Sequence, residues 1–195
     1  MSAHPQPRPL TEEEYLALDR AAETRSEFYQ GVVYAMPGGS LAHALINSSL
    51  TREIGMAFKG SPCWVVTQML RVRIAPGGLY AYPDLAIVCG EGRYCGEQKD
   101  TLLNPTVLIE VLSPSTEAYD RGFKSEQYRK IETLKEYALV SQTKPHIEIY
   151  SRQPDGRWLL SEESGLDASF RLESVGCLIP LAEIYDRVSF DESVA

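Results

Sequence analysis

Short apolar runs alternate along the chain with Gly, Pro, Ser and Asp punctuation, and the period of each run assigns it to a helix or a strand. Thr11 followed three residues on by Glu14 has the form of a capping box, and Tyr15, Leu16 and Leu18 supply an apolar side, so a helix is expected over 11–19. Ser26 to Tyr34 reads as a strand broken by a turn at Gln30-Gly31. Leu41, Leu45, Ile46, Leu50, Ile54 and Phe58 recur at helical spacing, which predicts one buried stripe over 41–58, with Ser40 available as a cap. Cys63 to Val66 and Met69 to Ile74 follow as strands; the alternation in Arg71-Val-Arg-Ile74 marks the second as half-exposed. After a turn at Pro76-Gly77-Gly78 comes the short strand Leu85 to Val88, then residues 89–104, without periodicity and read as the longest loop.

Thr106 to Leu112 is nearly all apolar, as a central strand covered on both faces would be. Ser113-Pro-Ser-Thr116 breaks it, and a helix is expected over 121–133 with Tyr128, Ile131 and Leu134 turned inward. Further strands are read at Tyr137 to Val140, at His146 to Tyr150, from Trp158 after the Pro154-Asp155-Gly156 turn, and near Phe170; a short helix is read at 180–187. No repeat and no second core is visible. The pattern predicts an α/β fold, a mixed sheet flanked by helices with additional β-hairpins, over 11–190 after a loose leader at 1–10 that carries prolines at 5, 7 and 9. The 195 residues, 44% of them hydrophobic, suit one domain.

No apolar run reaches membrane-spanning length, so no membrane contact is expected. The four cysteines Cys63, Cys89, Cys95 and Cys177 have neither CxxC nor zinc-ribbon spacing and are read as free thiols in a reducing cytoplasm. The net charge of -8 weakly disfavours a nucleic-acid partner. The charge is uneven, however. Residues 153–195 hold three Arg against nine acids, whereas 120–144 hold six Lys or Arg against four acids, so a DNA contact would avoid the C-terminal part.

One polar residue breaks the central strand. Period two puts Glu110 on the face of Leu108 and Leu112, opposite Val107, Ile109 and Val111. A carboxylate buried there needs a cation, a metal or a set of hydrogen bonds. Asp84 opens the strand after Pro83, and two carboxylates on neighbouring strands can hold one Mg²⁺. Asp120, read as a helix cap, is followed at four-residue spacing by Lys124 and Tyr128 on one face. A lysine facing the two carboxylates would stay charged and could orient water or stabilise a pentavalent phosphate. The plainer alternatives are a turn carboxylate at Asp84, a structural salt bridge at Glu110 and an exposed lysine at Lys124. His4 and His146 form no ligand spacing, and Tyr119, Tyr128 and Tyr137 read as packing residues.

Pro83-Asp84 followed by Glu110-Val-Leu112 resembles the PD-(D/E)xK nuclease pattern. More closely, Tyr82-Pro-Asp-Leu-Ala-Ile-Val88, Pro105-Thr-Val-Leu-Ile-Glu-Val-Leu-Ser-Pro-Ser-Thr116, Asp120 through Tyr128, and Glu136-Tyr137 are similar to the Uma2 family (DUF820) of endonuclease-like proteins, common in cyanobacteria and other bacteria. The resemblance covers roughly residues 10–185. It implies a restriction-endonuclease-like fold and Mg²⁺-dependent (Mn²⁺ as a substitute) hydrolysis of DNA phosphodiesters, with Asp84 and Glu110 as metal ligands. The superfamily's motif lysine would stand at position 112, which is Leu here; the resemblance points to Lys124 on the following helix instead. It also matches Glu27 to an upstream acid, a third ligand or water-orienting base, and His43 to a histidine of the first core helix that touches the metal shell or substrate. Asp120 and Tyr128 complete the set as accessory residues, and a homodimer would allow both strands to be cut. The competing expectation is a nuclease-like domain that binds nucleic acid or protein without cutting.

Overall fold

The computed structural model describes residues 8–36 and 38–190. Most of the expected leader lies outside them, but residues 8–10 are tied down: Arg8 pairs with Glu14, and the Leu10 amide donates to the Gly31 carbonyl at 3.1 Å. Helix α1 (Glu12–Ala21) starts with the predicted capping box, Glu14 N–H to Thr11 Oγ1 and Thr11 N–H to the Glu14 carboxylate. Strands β1 (Ser26–Tyr29) and β2 (Val32–Ala35) form the hairpin around Gln30-Gly31, where both residues take positive φ. Helix α2 (Leu41–Ala57) is capped by Ser40 and buries Ile46, Leu50 and Ile54, with Phe58 just beyond its end; each fully buried chain contributes about 1.5–3 kcal/mol. Leu41, expected in that stripe, is exposed at the helix start.

Then come β3 (Cys63–Thr67), β4 (Arg71–Arg73), β5 (Tyr80–Ala81), β6 (Leu85–Cys89), β7 (Thr101–Leu102) and β8 (Val107–Leu112). β7 lies inside the stretch read as loop: two residues are too few for a period, and pairing with β4 creates the strand. A helical segment follows, made of Glu117–Tyr119, a π-helical turn Asp120–Lys124, and Ser125–Tyr128, together α3. It starts earlier and ends earlier than the 121–133 expected. The Glu117 amide bonds the Ser113 carbonyl at 2.8 Å and the Thr116 amide bonds Ser113 Oγ at 3.2 Å, so the serine-threonine turn nucleates the helix upstream of Asp120. Asp120 is therefore an internal residue of α3, not its cap. The chain ends with β9 (Glu136–Ser141), β10 (His146–Arg152), β11 (Trp158–Ser164), β12 (Ser169–Leu172), β13 (Cys177–Pro180) and a short α4 (Leu181–Ile184).

The fold is mixed α/β, as the pattern predicted. Six strands form the main sheet in the order β11-β10-β9-β8-β6-β3, and β8 and β9 are its parallel pair. One face, carrying Val107, Ile109 and Val111, packs against α2, the β12–β13 hairpin and α4. The other, carrying Leu108 and Leu112, is closed by Tyr128 of α3, by Ile131 and Leu134, and by the second sheet, ordered β2-β1-β5-β4-β7. That sheet is bolted to α1 through buried Arg71, which donates to Asp19 at 2.5 Å and to Asp100 at 2.6 Å; Asp19 also accepts from Tyr82.

The cysteines depart from expectation. Cys63 and Cys89 face each other as register partners of β3 and β6, with Cα atoms 3.9 Å apart, and form a disulfide; Cys95 and Cys177 remain free. Spacing could not show this, because the sheet register rather than the 26-residue separation brings them together. Thiol content therefore no longer argues for a reducing compartment. Among the described residues no helix is long and apolar enough to cross a membrane.

Candidate active site

The antiparallel pairing of β6 with β8 matches Leu85 to Ile109, so Asp84 and Glu110, one residue further along each strand, leave the sheet side by side. Each carboxylate then accepts from the other strand's backbone. The Val111 amide donates to Asp84 Oδ2 at 2.8 Å, and the Asp84 amide donates to Glu110 Oε2 at 3.3 Å. Pro83, which cannot donate, leaves the Asp84 amide as the first available there.

The second oxygen of each acid is taken from a different layer. Asp84 Oδ1 lies 2.9 Å from His43 Nε2 and accepts from Asn47 Nδ2 at 3.1 Å; these residues are four apart on one face of α2. Glu110 Oε1 accepts from Lys124 Nζ at 3.0 Å and from the Tyr128 hydroxyl at 2.8 Å, both on α3. The Lys124 ammonium also sits 3.0 Å from Glu27 Oε1 on β1 and 3.3 Å from Asp120 Oδ1. Tyr119 completes the ring: its hydroxyl donates to Glu27 Oε2 at 3.1 Å. The seven residues singled out in the sequence (Glu27, His43, Asp84, Glu110, Asp120, Lys124 and Tyr128) are thus one continuous network on four elements and the residue that leads into β6. Sequence reading missed two members. Tyr119 was assigned to packing. Asn47 carried one usable signal, a polar side chain one turn after His43 on an otherwise buried flank.

The network floors a cavity of about 580 Å³ between α2, α3 and the β1–β2 hairpin. Tyr34, Gly39, Ser40 and Gln68 contribute to its walls. Glu27, Glu110, Asp120 and Lys124 are all at least nine-tenths buried, so their mutual interactions are weakly screened. Burial pushes the Glu110 carboxyl well above the usual carboxylate range, against the pull of the Lys124 ammonium. Burial raises Asp120 too. Burial also works to lower Lys124, but Glu110, Glu27 and Asp120 outweigh it and keep the ammonium charged. The hydrogen bond to Asp84 raises His43 above its ordinary value, and burial only partly offsets it.

Four carboxylates therefore share one ammonium and one imidazole. With all four ionised and the imidazole protonated, the surplus is two negative charges, the charge of one divalent cation; burial of Glu110 and Asp120 disfavours that state until a cation is bound. The donors are hard oxygens, the chemistry Mg²⁺ and Mn²⁺ prefer. Asp84 Oδ2 and Glu110 Oε2 each accept a single hydrogen bond and keep a lone pair. Among the described residues, His43 Nδ1 and Asn47 Oδ1 are buried polar atoms with no hydrogen-bond partner. Such atoms are costly unless a bound species engages them. The side-by-side oxygens of Asp84 and Glu110 fit a hard divalent ion, with no third acid converging on both among the described residues while Glu27 is held by Lys124 and Tyr119.

Residues 12–177 match the model of the Uma2 family, described as "Putative restriction endonuclease". Two uncharacterized proteins of Synechocystis are similar along most of their length. One, slr1290, is 33% identical over 93% of this chain and 94% of its own; the other, sll1609, is 31% identical over 82% and 90%. A crystal structure from Anabaena variabilis, described as a putative nuclease belonging to DUF820, superposes with a TM-score of 0.73 over 91% of this chain and 98% of its own, at 18% identity.

Proposed function

This chain belongs to the Uma2 family, and from that premise we propose that it is a metal-dependent endonuclease hydrolysing DNA phosphodiester bonds. The observation that carries the reading is the clasp of Asp84 and Glu110 with the buried Lys124 ammonium 3.0 Å from Glu110. Asp84 and Glu110 would hold Mg²⁺ or Mn²⁺, with Glu27 a third ligand or a base for water. The ion supplies charge neutralisation at the phosphate and a lowered pKa for water.

The chain's own residues carry the remaining tasks. Hydrolysis joins a water oxygen to phosphorus as an ester P–O bond breaks, and negative charge accumulates on the phosphoryl oxygens. Lys124, fixed by three carboxylates, places a permanent cation beside them without reorganisation. Glu27 lines the cavity and can accept the proton that the attacking water loses, while Tyr119 holds its other oxygen. His43 and Asn47 fix Asp84, and Tyr128 fixes Glu110, so neither acid is free to rotate away. Solvent enters the open cavity and protonates the leaving oxygen. The lysine arrives from α3 because position 112 is Leu.

The test is cleavage of supercoiled, linear and single-stranded DNA with Mg²⁺, with Mn²⁺ and with EDTA, using Glu110→Gln as the matched variant. Cutting that requires metal and drops at least ~100-fold in Glu110→Gln is expected. Metal-independent cutting, or cutting indifferent to this substitution, would sink the assignment. Metal-dependent DNA binding without cutting would favour the competing reading, a nuclease-like binding module in which the Lys124 cluster is a structural ion-pair hub.

A further inference from the structure

Outside the cavity, one set of side chains converges in the manner of a metal site. His146 and Glu148 are two residues apart on β10 and so share a face. The β10–β11 register places Glu162 directly opposite Glu148. His146 Nε2 lies 3.5 Å from Glu148 Oε1 and 3.6 Å from Glu162 Oε1, and the three ligand atoms fall within 4.8 Å of one another. Sequence reading saw no ligand spacing at His146. The overlooked signal is a His-x-Glu alternation on a strand, closed by an acid across the Asp155-Gly156 turn.

The distances are within ion-pair range and also match a ligand set. At 3.5–3.6 Å, Nε2 makes no good hydrogen bond to either carboxylate. They are close to the edge of a tetrahedral shell, about 3.3–3.6 Å for metal–ligand bonds of ~2.0–2.2 Å. Both inner groups are oriented from outside the triad. His146 Nδ1 is 2.7 Å from Ser164 Oγ, and Arg121 donates to the far oxygen of Glu148, Oε2, at 2.5 Å. Outer partners of this kind fix the ring and free one carboxylate oxygen to point inward. Glu148 is only 8% exposed and, held by Arg121 through its far oxygen, stands directly opposite Glu162 on the neighbouring strand.

We propose that His146, Glu148 and Glu162 form a second divalent-cation site, suited by its imidazole and two carboxylates to Zn²⁺ or a similar transition ion. It is separate from the cavity. The register runs Glu110, Leu139, Glu148, Glu162 across β8 to β11, which sets the triad about 10–14 Å from Glu110 at ~4.8 Å per strand. Through Glu148 and Arg121 it is coupled to α3, the segment that carries Asp120 and Lys124.

The experiment is Zn²⁺ titration of the full chain by calorimetry, repeated with Co²⁺ followed by its visible absorption. Both are done in a Glu110→Gln background, so that the reading does not depend on the nuclease proposal. One equivalent is expected, with an absorption typical of tetrahedral Co²⁺. His146→Ala should weaken it at least ~100-fold, and so should Glu162→Gln, whose side chain is exposed and leaves the core packing untouched. Zn²⁺ binding that survives both substitutions, or none in the background protein, overturns the site. Neither result bears on cleavage, and failure of the cleavage test leaves this site standing.

Discussion

Replacing Lys124 by Met should reveal how much of this fold is held against its own charge. Met keeps an unbranched stem of similar volume, so packing changes little. The ammonium lies 3.0, 3.0 and 3.3 Å from Glu27, Glu110 and Asp120, with every partner less than a tenth exposed. At an effective dielectric of about 20, each pair contributes attraction on the order of 4 kcal/mol. Desolvation of the ammonium returns a large part, and the substitution leaves three buried acids that must repel one another or take up protons. Removing one partner of such a cluster costs about 3–5 kcal/mol. In EDTA the urea midpoint should therefore fall by about 1–2 M. Mg²⁺ should restore more stability to the variant than it adds to the native protein, since a bound ion replaces the missing charge; at a hundredfold excess over Kd the gain is about 2.7 kcal/mol. A variant whose midpoint lies within about 0.3 M of the native protein, or that gains no more from Mg²⁺ than the native protein does, refutes the charge argument.

Tyr128→Phe removes the 2.8 Å hydrogen bond to Glu110 and should cost about 1–2 kcal/mol by denaturation, with kcat for cleavage reduced ~10-fold and KM nearly unchanged. The metal-free protein should lose stability as pH rises. Glu110 titrates near 4.5 when unfolded and is pushed up to about 8 when folded, so the native state binds the extra proton in that window and its advantage disappears across it. Thermal melts of Glu110→Gln should show a flatter pH dependence, and an equally steep one would count against this origin. Thiol titration of the unfolded, unreduced protein should find two reactive cysteines and four after reduction, and breaking the 26-residue cross-link should cost about 3.5 kcal/mol.

What the sequence disclosed follows from what local patterns encode. The capping box at Thr11, the Gln30-Gly31 turn and the 46-50-54-58 stripe act within a few residues, and all appear as read. So does the orientation of Glu110, because period two leaves it no other face. Features set by distant pairing were hidden. β5 and β7 exist only because β4 lies between them, and the Cys63–Cys89 bond depends on the register of β3 against β6. The start of α3 was misplaced for a subtler reason. Apolar periodicity begins at Phe123, but the Ser113 turn begins the helix earlier, at a point where the side chains face the cavity rather than the core. Asn47 and Tyr119 were hard to single out because neither residue type, alone on a helix, distinguishes a hydrogen bond to a buried acid from one to solvent; the turn from His43 to Asn47 was the one local hint.

The position of the lysine is where strand logic and site logic diverge. Period two puts residue 112 on the face of Glu110, so a lysine there would share its side of the sheet. In this chain that spot is closed. Leu112 is 4% exposed and packs with Tyr128 and Leu139, so its side chain completes the core under α3 instead of reaching the cavity. The cation has to come from the layer above. α3 delivers it through the π-helical turn, in which the Ser125 amide reaches back five residues to the Asp120 carbonyl. A turn of this kind is poorer in hydrogen-bond geometry than an α-helical one and recurs at functional sites. Here it sets Asp120 and Lys124 over Glu27 and Glu110 while Tyr128, one turn on, still reaches the same Glu110 oxygen. The lysine is thus separated from the strand that carries the acid, and the strand is left free to pack. The consequence is that α3, not β8, determines whether the acid and the cation meet.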